Sequence, residues 1–243
     1  MEIKRVPTGI PGFDELVMGG IPTGSVVCLS GPAGSAKTLF GMQFIYTGAT
    51  IYNEPGLYIT VDERRENIVR ATACYGMDVP KYEDSGKIFL IDMSKMRKLV
   101  SSKERLEKGL TDFKAISDFL ENFLKTSGAR RLVIDSLVAL ALPYRNMEEL
   151  REEMFRFTTF LQEKGITSIL LTEALNEAGE STRYGMEPFI GDGFITLGLE
   201  KIKGELRRTV AVRKLRFTKH DSGIHPFLIT SSGIEISPEE RVV

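Results

Sequence analysis

The amino-acid sequence predicts an α/β fold: a mostly parallel, twisted sheet with helices on both faces, followed by antiparallel hairpins near the C-terminus. Three observations carry this expectation. Ahead of Phe194, short β-branched runs alternate with longer amphipathic stretches, the order of a parallel sheet wound with crossover helices. From Phe194 onward the pattern changes to strands alone. The 243 residues are 42% hydrophobic and 27% charged, ordinary globular usage that excludes long disorder and fibrous repeats.

In chain order, residues 26–30 form an apolar run that reads as a buried strand, followed by a Gly-rich turn and a helix from about 37 to 52. Residues 57–61 are the next strand, 66–75 a helix and 88–92 a strand. Residues 111–126 set Phe113, Ile116, Phe119, Leu120 and Phe123 at helical spacing. A strand at 131–135, a helix at 147–164 and a strand at 166–172 complete the alternating part. Residues 194–201 and 206–215 flank a Lys-Gly turn at 202–205 and read as a hairpin, and 226–229 with 234–236 read as a second. Residues 93–109, rich in Lys, Arg and Ser, read as an exposed or partly helical loop; residues 176–192 read as a mobile loop between core strands. No linker composition or internal repeat divides the chain, so one domain over 1–243 is expected.

Charge and cysteine usage narrow the function classes. With 32 Lys+Arg against 33 Asp+Glu the net charge is −1, which argues against binding nucleic acid through bulk positive charge. Cys28 and Cys74 cannot build a disulfide framework or a four-cysteine zinc site, and a reduced chain fits a cytoplasmic location. No stretch approaches 18 apolar residues, and the charged N-terminus lacks the apolar core of a secretory signal, so no membrane association is expected. Trp is absent, Gln occurs only at 43 and 162, and charged residues abound, which leans towards a thermophilic source.

The sharpest local signal is Gly31-Pro32-Ala33-Gly34-Ser35-Ala36-Lys37-Thr38, directly after the first strand and opening a helix, with Leu39 next. It fits the phosphate-loop pattern G-x-x-x-x-G-K-[ST] except at the sixth position, where Ala36 replaces Gly. Such a turn aims backbone N–H groups at a phosphate, backed by a helix N-terminus. Lys37 is expected at the β- and γ-phosphates of a nucleotide, and the Thr38 hydroxyl at Mg²⁺. If position 36 needs a positive φ, alanine there costs about 1 kcal/mol of strain. Asp135, ending the strand Arg131-Leu132-Val133-Ile134-Asp135, is the expected second metal-shell residue. Asp62-Glu63, at the mouth of the 57–61 strand, fits polarisation of the attacking water; the same pair also fits acidic charge favouring the N-terminus of the next helix. Lys214 and Arg216 alternate onto one face of the late strand, with His220 just beyond it. They suit neutralisation of transition-state charge, although on local sequence alone the better reading is a solvated edge strand carrying protective charges. His220 and His225, five apart without a neighbouring cysteine, do not make a zinc site. Ser136, Ser181 and Ser222 lack a nucleophile-elbow context.

Together these pieces resemble a known family. Residues 7–16 (Pro-Thr-Gly-Ile-Pro-Gly-Phe-Asp-Glu-Leu) and 19–24 (Gly-Gly-Ile-Pro-Thr-Gly) ahead of the phosphate loop look like the opening of the RecA/RadA superfamily, and more closely like one ATPase domain of the KaiC family. The resemblance continues through Asp62-Glu63, Val133 to Leu137, Thr172-Glu173, Lys214 to His220 and Pro226 to Ile234, almost the whole chain. It implies a RecA-like core, ATP and Mg²⁺ as ligands, and a homo-hexameric ring with nucleotide between copies. The phosphate loop, Asp135 and the Asp62-Glu63 pair would then serve one copy's nucleotide. Thr172 would sit at a sensor position beside that loop, and Lys214, Arg216 and His220 would reach the γ-phosphate held by the adjacent copy.

Ala36 breaks the loop consensus, and Asp62 stands where these families place a catalytic glutamate, so either this shorter side chain reaches the water or Glu63 acts instead, and slow hydrolysis is expected. The clock proteins carry two such domains in tandem where this chain carries one. They have a Ser-Thr phosphoacceptor pair where this chain has Pro188-Phe189, so neither clock function nor self-phosphorylation carries over. Two other functions stay open at this point: a non-catalytic ATP-binding regulatory or scaffold ring, and a DNA recombination or repair ATPase related to RadA. The loop at 176–192 weighs against the second, because Arg183 and Tyr184 are accompanied by Glu177, Glu180 and Glu187.

Overall fold

A computed structural model describes residues 3–93, 112–177, 182–202 and 204–242. Its centre is a nine-stranded sheet. Strands β3 (Val26–Gly31), β4 (Gly56–Thr60), β5 (Ile88–Asp92), β6 (Arg131–Asp135) and β7 (Thr167–Glu173) run parallel in the order β3-β7-β6-β4-β5, and β8 (Gly193–Ile202) lies parallel to β3 on its other side. The antiparallel strands β9 (Glu205–Leu215), β10 (Ile224–Thr230) and β11 (Gly233–Ile236) extend the same sheet beyond β8. A separate two-stranded ribbon pairs β1 (Arg5–Val6) with β2 (Ile21–Pro22), beside the short helix α1 (Phe13–Leu16).

Both faces of the parallel strands are buried, which is why their sequences read as continuous apolar runs rather than alternating ones. On one face, Val27 and Leu29 of β3 and Val133 of β6 pack against α2 (Lys37–Thr50) and its neighbours α3 (Arg65–Ala73) and α4 (Val79–Asp84). On the other, Val26, Cys28, Leu57, Leu132 and Leu170 meet α5 (Phe113–Ser127), α6 (Leu137–Ala141), α7 (Met147–Lys164) and α8 (Glu187–Ile190). Helix α5 buries Phe113, Ile116 and Leu120, the helical stripe in the sequence. Helix α2 is buried nearly all round.

The structure bears out the expected order of elements, with ends that move by one to a few residues. Helix α4 was not read from the sequence, although Asp78 caps it by accepting from Lys81 N and Pro80 stands in its first turn. Arg216 lies past the end of β9, not within it. The loop expected at 176–192 contains α8 in its second half. Of the segment expected to be exposed at 93–109, only Met93 falls within the described residues, and Lys203 of the hairpin turn lies outside them.

Arg131 shows how the far end of the sheet is fixed. Its side chain is fully buried, pairs with Glu54 at 2.8 Å and donates to the carbonyls of Pro7 (2.8 Å) and Phe44 (2.9 Å). A buried guanidinium survives only with such partners. The N-terminal segment, α2 and β6 are thereby tied together at the end away from the phosphate loop.

Candidate functional site

The parallel strands place their C-terminal ends along one edge of the sheet, where ligands of open α/β folds bind. At that edge β3 runs into the turn 31–36 and then α2. Gly34 has φ 81° and Ala36 φ 72°, so alanine occupies a left-handed conformation at the position where the consensus has glycine. The Ser35 hydroxyl donates to Pro32 O at 2.8 Å and holds the turn closed. Lys37 Nζ donates to the carbonyls of Gly31 (2.8 Å) and Pro32 (2.9 Å), folding the ammonium over the turn. Burial lowers the Lys37 pKa, and the charges of Asp135 and Glu173 oppose that shift. The Leu39 side chain is buried in the core, leaving its backbone N–H at the first turn of α2.

Asp135 gathers the groups around it. Its Oδ2 accepts from the Thr38 hydroxyl at 2.9 Å and from the Tyr58 hydroxyl at 2.7 Å. Burial raises its pKa, and the two hydrogen bonds together with Lys37 hold it back. The Thr38 hydroxyl and the Asp135 carboxylate are a converging pair of hard oxygen donors, the chemistry that suits Mg²⁺ completed by water and phosphate oxygens. The donor set therefore fits that ion. Among the described residues no group of three or more His, Cys, Asp or Glu side chains could hold another metal.

The acidic pair stands next to this centre. Asp62 Oδ2 accepts from the Ser136 hydroxyl at 3.2 Å, one residue beyond Asp135. Thr60 Oγ1 accepts from Glu63 N at 3.1 Å and donates to Glu63 O at 2.8 Å, fixing the backbone that carries Glu63. Burial and then the charge of Asp135 raise the Glu63 pKa. Thr172 lies next to Ser30 in the sheet, fully buried, and its hydroxyl donates to Glu187 Oε1 at 3.4 Å.

The late-strand cations lie elsewhere. Leu215 pairs with Gly193, which pairs with Val27, so Lys214 and Arg216 sit at the sheet edge opposite the phosphate loop. Four residue steps separate Val27 from Gly31, about 13 Å along the strand. Lys214 Nζ donates to Pro188 O (3.0 Å) and Gly191 O (2.8 Å), and Arg216 reaches Asp192 Oδ1 at 3.5 Å. His220 Nδ1 lies 3.0 Å from Asp221 O. All of these partners lie outside the phosphate loop.

Sequence reasoning missed Tyr58, Arg208 and Glu187. Tyr58 carried a usable signal, since a tyrosine in a mostly apolar strand must find a partner for its hydroxyl. Arg208 Nε donates to Gly34 O at 3.1 Å across 174 residues, and no local pattern reveals that. It also lines a groove of about 490 Å³ bounded by Leu206, Pro226, Phe227 and Ile229.

Comparison with known proteins agrees with this geometry. A family model described as "ATPase: KaiC" matches residues 6–241. The circadian clock oscillator protein KaiC of Thermosynechococcus vestitus is 36% identical over 238 residues, covering 98% of this chain and 45% of that protein. The same protein of Synechococcus elongatus is 35% identical over 237 residues, covering 97% and 44%. The chain thus spans about half the length of the clock proteins it matches. The crystal structure of a KaiC-like protein from the hyperthermophilic archaeon Pyrococcus horikoshii OT3 superposes with a TM-score of 0.83 at 39% identity, covering 98% of this chain and all of that one. The parallel sheet with its antiparallel extension is the RecA-like fold of that relative, and the chain belongs to the KaiC family of ATPases.

Proposed function

We propose that this chain binds ATP with Mg²⁺ and hydrolyses it slowly, as a homo-hexameric ring with nucleotide between adjacent copies. The observation that carries the reading is the convergence of Lys37, Thr38, Tyr58 and Asp135 on the end of the phosphate loop. Lys37 exchanges the Gly31 and Pro32 carbonyls for the β- and γ-phosphates, and the N–H groups of residues 33–39 cradle them. Thr38 and Asp135 would hold the Mg²⁺, which when bound would supply positive charge to offset that of the phosphates. The groove beside Arg208, about 490 Å³ in volume, has room for the nucleoside.

Asp62 and Glu63 form the acid pair that orients the attacking water and accepts its proton, and the raised pKa of Glu63 suits the second task. Asp62 is one methylene shorter than glutamate, and this shorter reach is consistent with slow turnover. Lys214, Arg216 and His220 serve the adjacent copy's γ-phosphate. This assignment is supported by their place on the opposite sheet edge and by the positive charge of Lys214 and Arg216, which complements Asp62, Glu63 and Asp135.

Phosphate release by the wild type and Lys37→Ala tests the reaction: the variant is expected to lose roughly 100-fold in rate, and equal rates would leave an ATP-binding ring without catalysis. Light scattering with ATP and Mg²⁺ tests the assembly, with a mass near six chains expected. A strictly monomeric protein would remove the role of Lys214, Arg216 and His220 in trans.

A further inference from the structure

Glu187 is a carboxylate with no exposed surface. Such a group persists only where donors replace its water. Its Oε1 accepts from Thr172 Oγ1 (3.4 Å) and Tyr184 N (3.3 Å), and its Oε2 from Thr182 Oγ1 (2.7 Å) and Met186 N (3.0 Å). Thr172 lies beside Ser30 on the strand that leads into the phosphate loop. The residues that follow Glu187 hold the two cations. Pro188 and Gly191 give their carbonyls to Lys214 Nζ, at 3.0 and 2.8 Å. Asp192 meets Arg216 through Oδ1 at 3.5 Å, while its Oδ2 accepts from Gln162 Nε2 (2.7 Å) and Val26 N (3.1 Å).

Residues 187–192 therefore touch the strand end next to the phosphate loop at one end and both cations at the other. Burial pushes the Cys28 thiol of β3 upward; the Glu187 carboxylate adds to that shift and the Lys214 ammonium opposes it, so both charges act on one buried sulphur. Pro188 fixes its own φ inside α8 and so narrows the conformations open to this segment. The longest joints of the link are Arg216–Asp192 at 3.5 Å and Thr172–Glu187 at 3.4 Å, and the buried Ser30 hydroxyl beside Thr172 has no hydrogen-bond partner.

The geometry points to Glu187 as a positioning residue that ties the strand end at Thr172 to Lys214 and Arg216, so that the nucleotide held by one copy sets where these cations lie against the nucleotide of the next. This rests on the ring reading above and gives it a direction of communication. Lys214 must leave two backbone carbonyls to reach a phosphate. Both carbonyls belong to the segment that Glu187 anchors, so a shift at Thr172 releases or retains the ammonium.

A double-mutant cycle of wild type, Glu187→Gln, Lys214→Met and the double variant tests the link, read as kcat and KM for ATP with melting temperature and assembled mass as controls. Glu187→Gln is expected to lower kcat about tenfold with KM within about twofold of wild type, and the double variant to be no slower than Lys214→Met alone. Losses that multiply in the double variant, or a wild-type kcat for Glu187→Gln, would overturn the link. If Glu187→Gln does not fold, Thr182→Val deletes the 2.7 Å donor and Thr182→Ser keeps it. The valine variant is then expected to be slow and the serine variant restored; equal rates would overturn the link. A Lys214→Met protein that turns over like wild type would remove the role in trans together with the link, whereas a slow Lys214→Met beside a normal Glu187→Gln would remove the link alone.

Discussion

Replacing Tyr58 by phenylalanine removes one oxygen from a fully buried side chain and leaves its ring in the core. The lost hydroxyl donates to Asp135 Oδ2 at 2.7 Å, leaving Thr38 Oγ1 at 2.9 Å as the other side-chain donor to that oxygen. A hydrogen bond to a charged group contributes about 1.5–3 kcal/mol. At 1.36 kcal/mol per unit, its loss raises the Asp135 pKa by about 1–2 units. Burial already holds that carboxyl above its ordinary value, so the shift moves it further towards neutrality. Only the ionised form can serve the metal, so activity in the variant must fail earlier on acidification. The assay is the initial rate of phosphate release at saturating Mg²⁺ from about pH 5 to about pH 9. The acid limb of kcat/KM is expected to move up by about 1–2 units, with the alkaline plateau nearly preserved because Asp135 is ionised there in both proteins. An acid limb in the same place, or a uniform loss at every pH, would refute the assignment of Tyr58 as the donor that keeps Asp135 ionised.

Two further perturbations follow. Ala36→Gly relieves a left-handed alanine, about 1–2 kcal/mol, against about 0.5–1 kcal/mol of added unfolded-state freedom. The melting temperature is therefore expected to rise by roughly 1–2 °C, and a clear fall in thermal unfolding would contradict the strain at φ 72°. Asp221 accepts from Gly223 N (2.6 Å), His225 Nε2 (3.1 Å) and Arg241 Nη2 (2.7 Å), and the first two of these bonds are the main reason its pKa is pulled from 3.8 to about 2. A depressed carboxylate favours the folded state above its unfolded pKa, and that contribution disappears as pH falls from 3.8 towards about 2. Urea midpoints against pH should show this acid-side loss shrinking in Asp221→Asn; parallel profiles would contradict it.

How much of the site could be read from the sequence depended on how far apart its members lie in the chain. Gly31 to Thr38 is a contiguous turn whose chemistry is local, and Asp135 ends a strand that announces itself by its apolar run. The long strands and α2, α5 and α7 were equally visible, because fully buried strands and a helix buried nearly all round such as α2 leave continuous apolar runs, and amphipathic helices such as α5 and α7 leave periodic ones. Helix α4 has six residues, too few to show a period, and β1 and β2 have two each. The contacts of Tyr58 with Asp135 and of Arg208 with Gly34 span 77 and 174 residues and follow only from strand order. Glu187 read as one more acid in a polar loop; its burial shows only once α8 is laid on Thr172. The local reading of Lys214 and Arg216 favoured protective edge charges, and no pattern within their own segment could decide otherwise.

The most direct measurement is a crystal structure of the assembled protein with Mg²⁺ and a hydrolysis-resistant ATP analogue. Lys37 Nζ is expected to have left Gly31 O and Pro32 O for the β- and γ-phosphates, the metal to lie against Thr38 Oγ1 with Asp135 in its shell, and Lys214 and Arg216 of the adjacent copy to face the γ-phosphate. A nucleotide bound away from residues 31–39, or one bound there with no neighbouring copy at its γ-phosphate, would contradict the shared site.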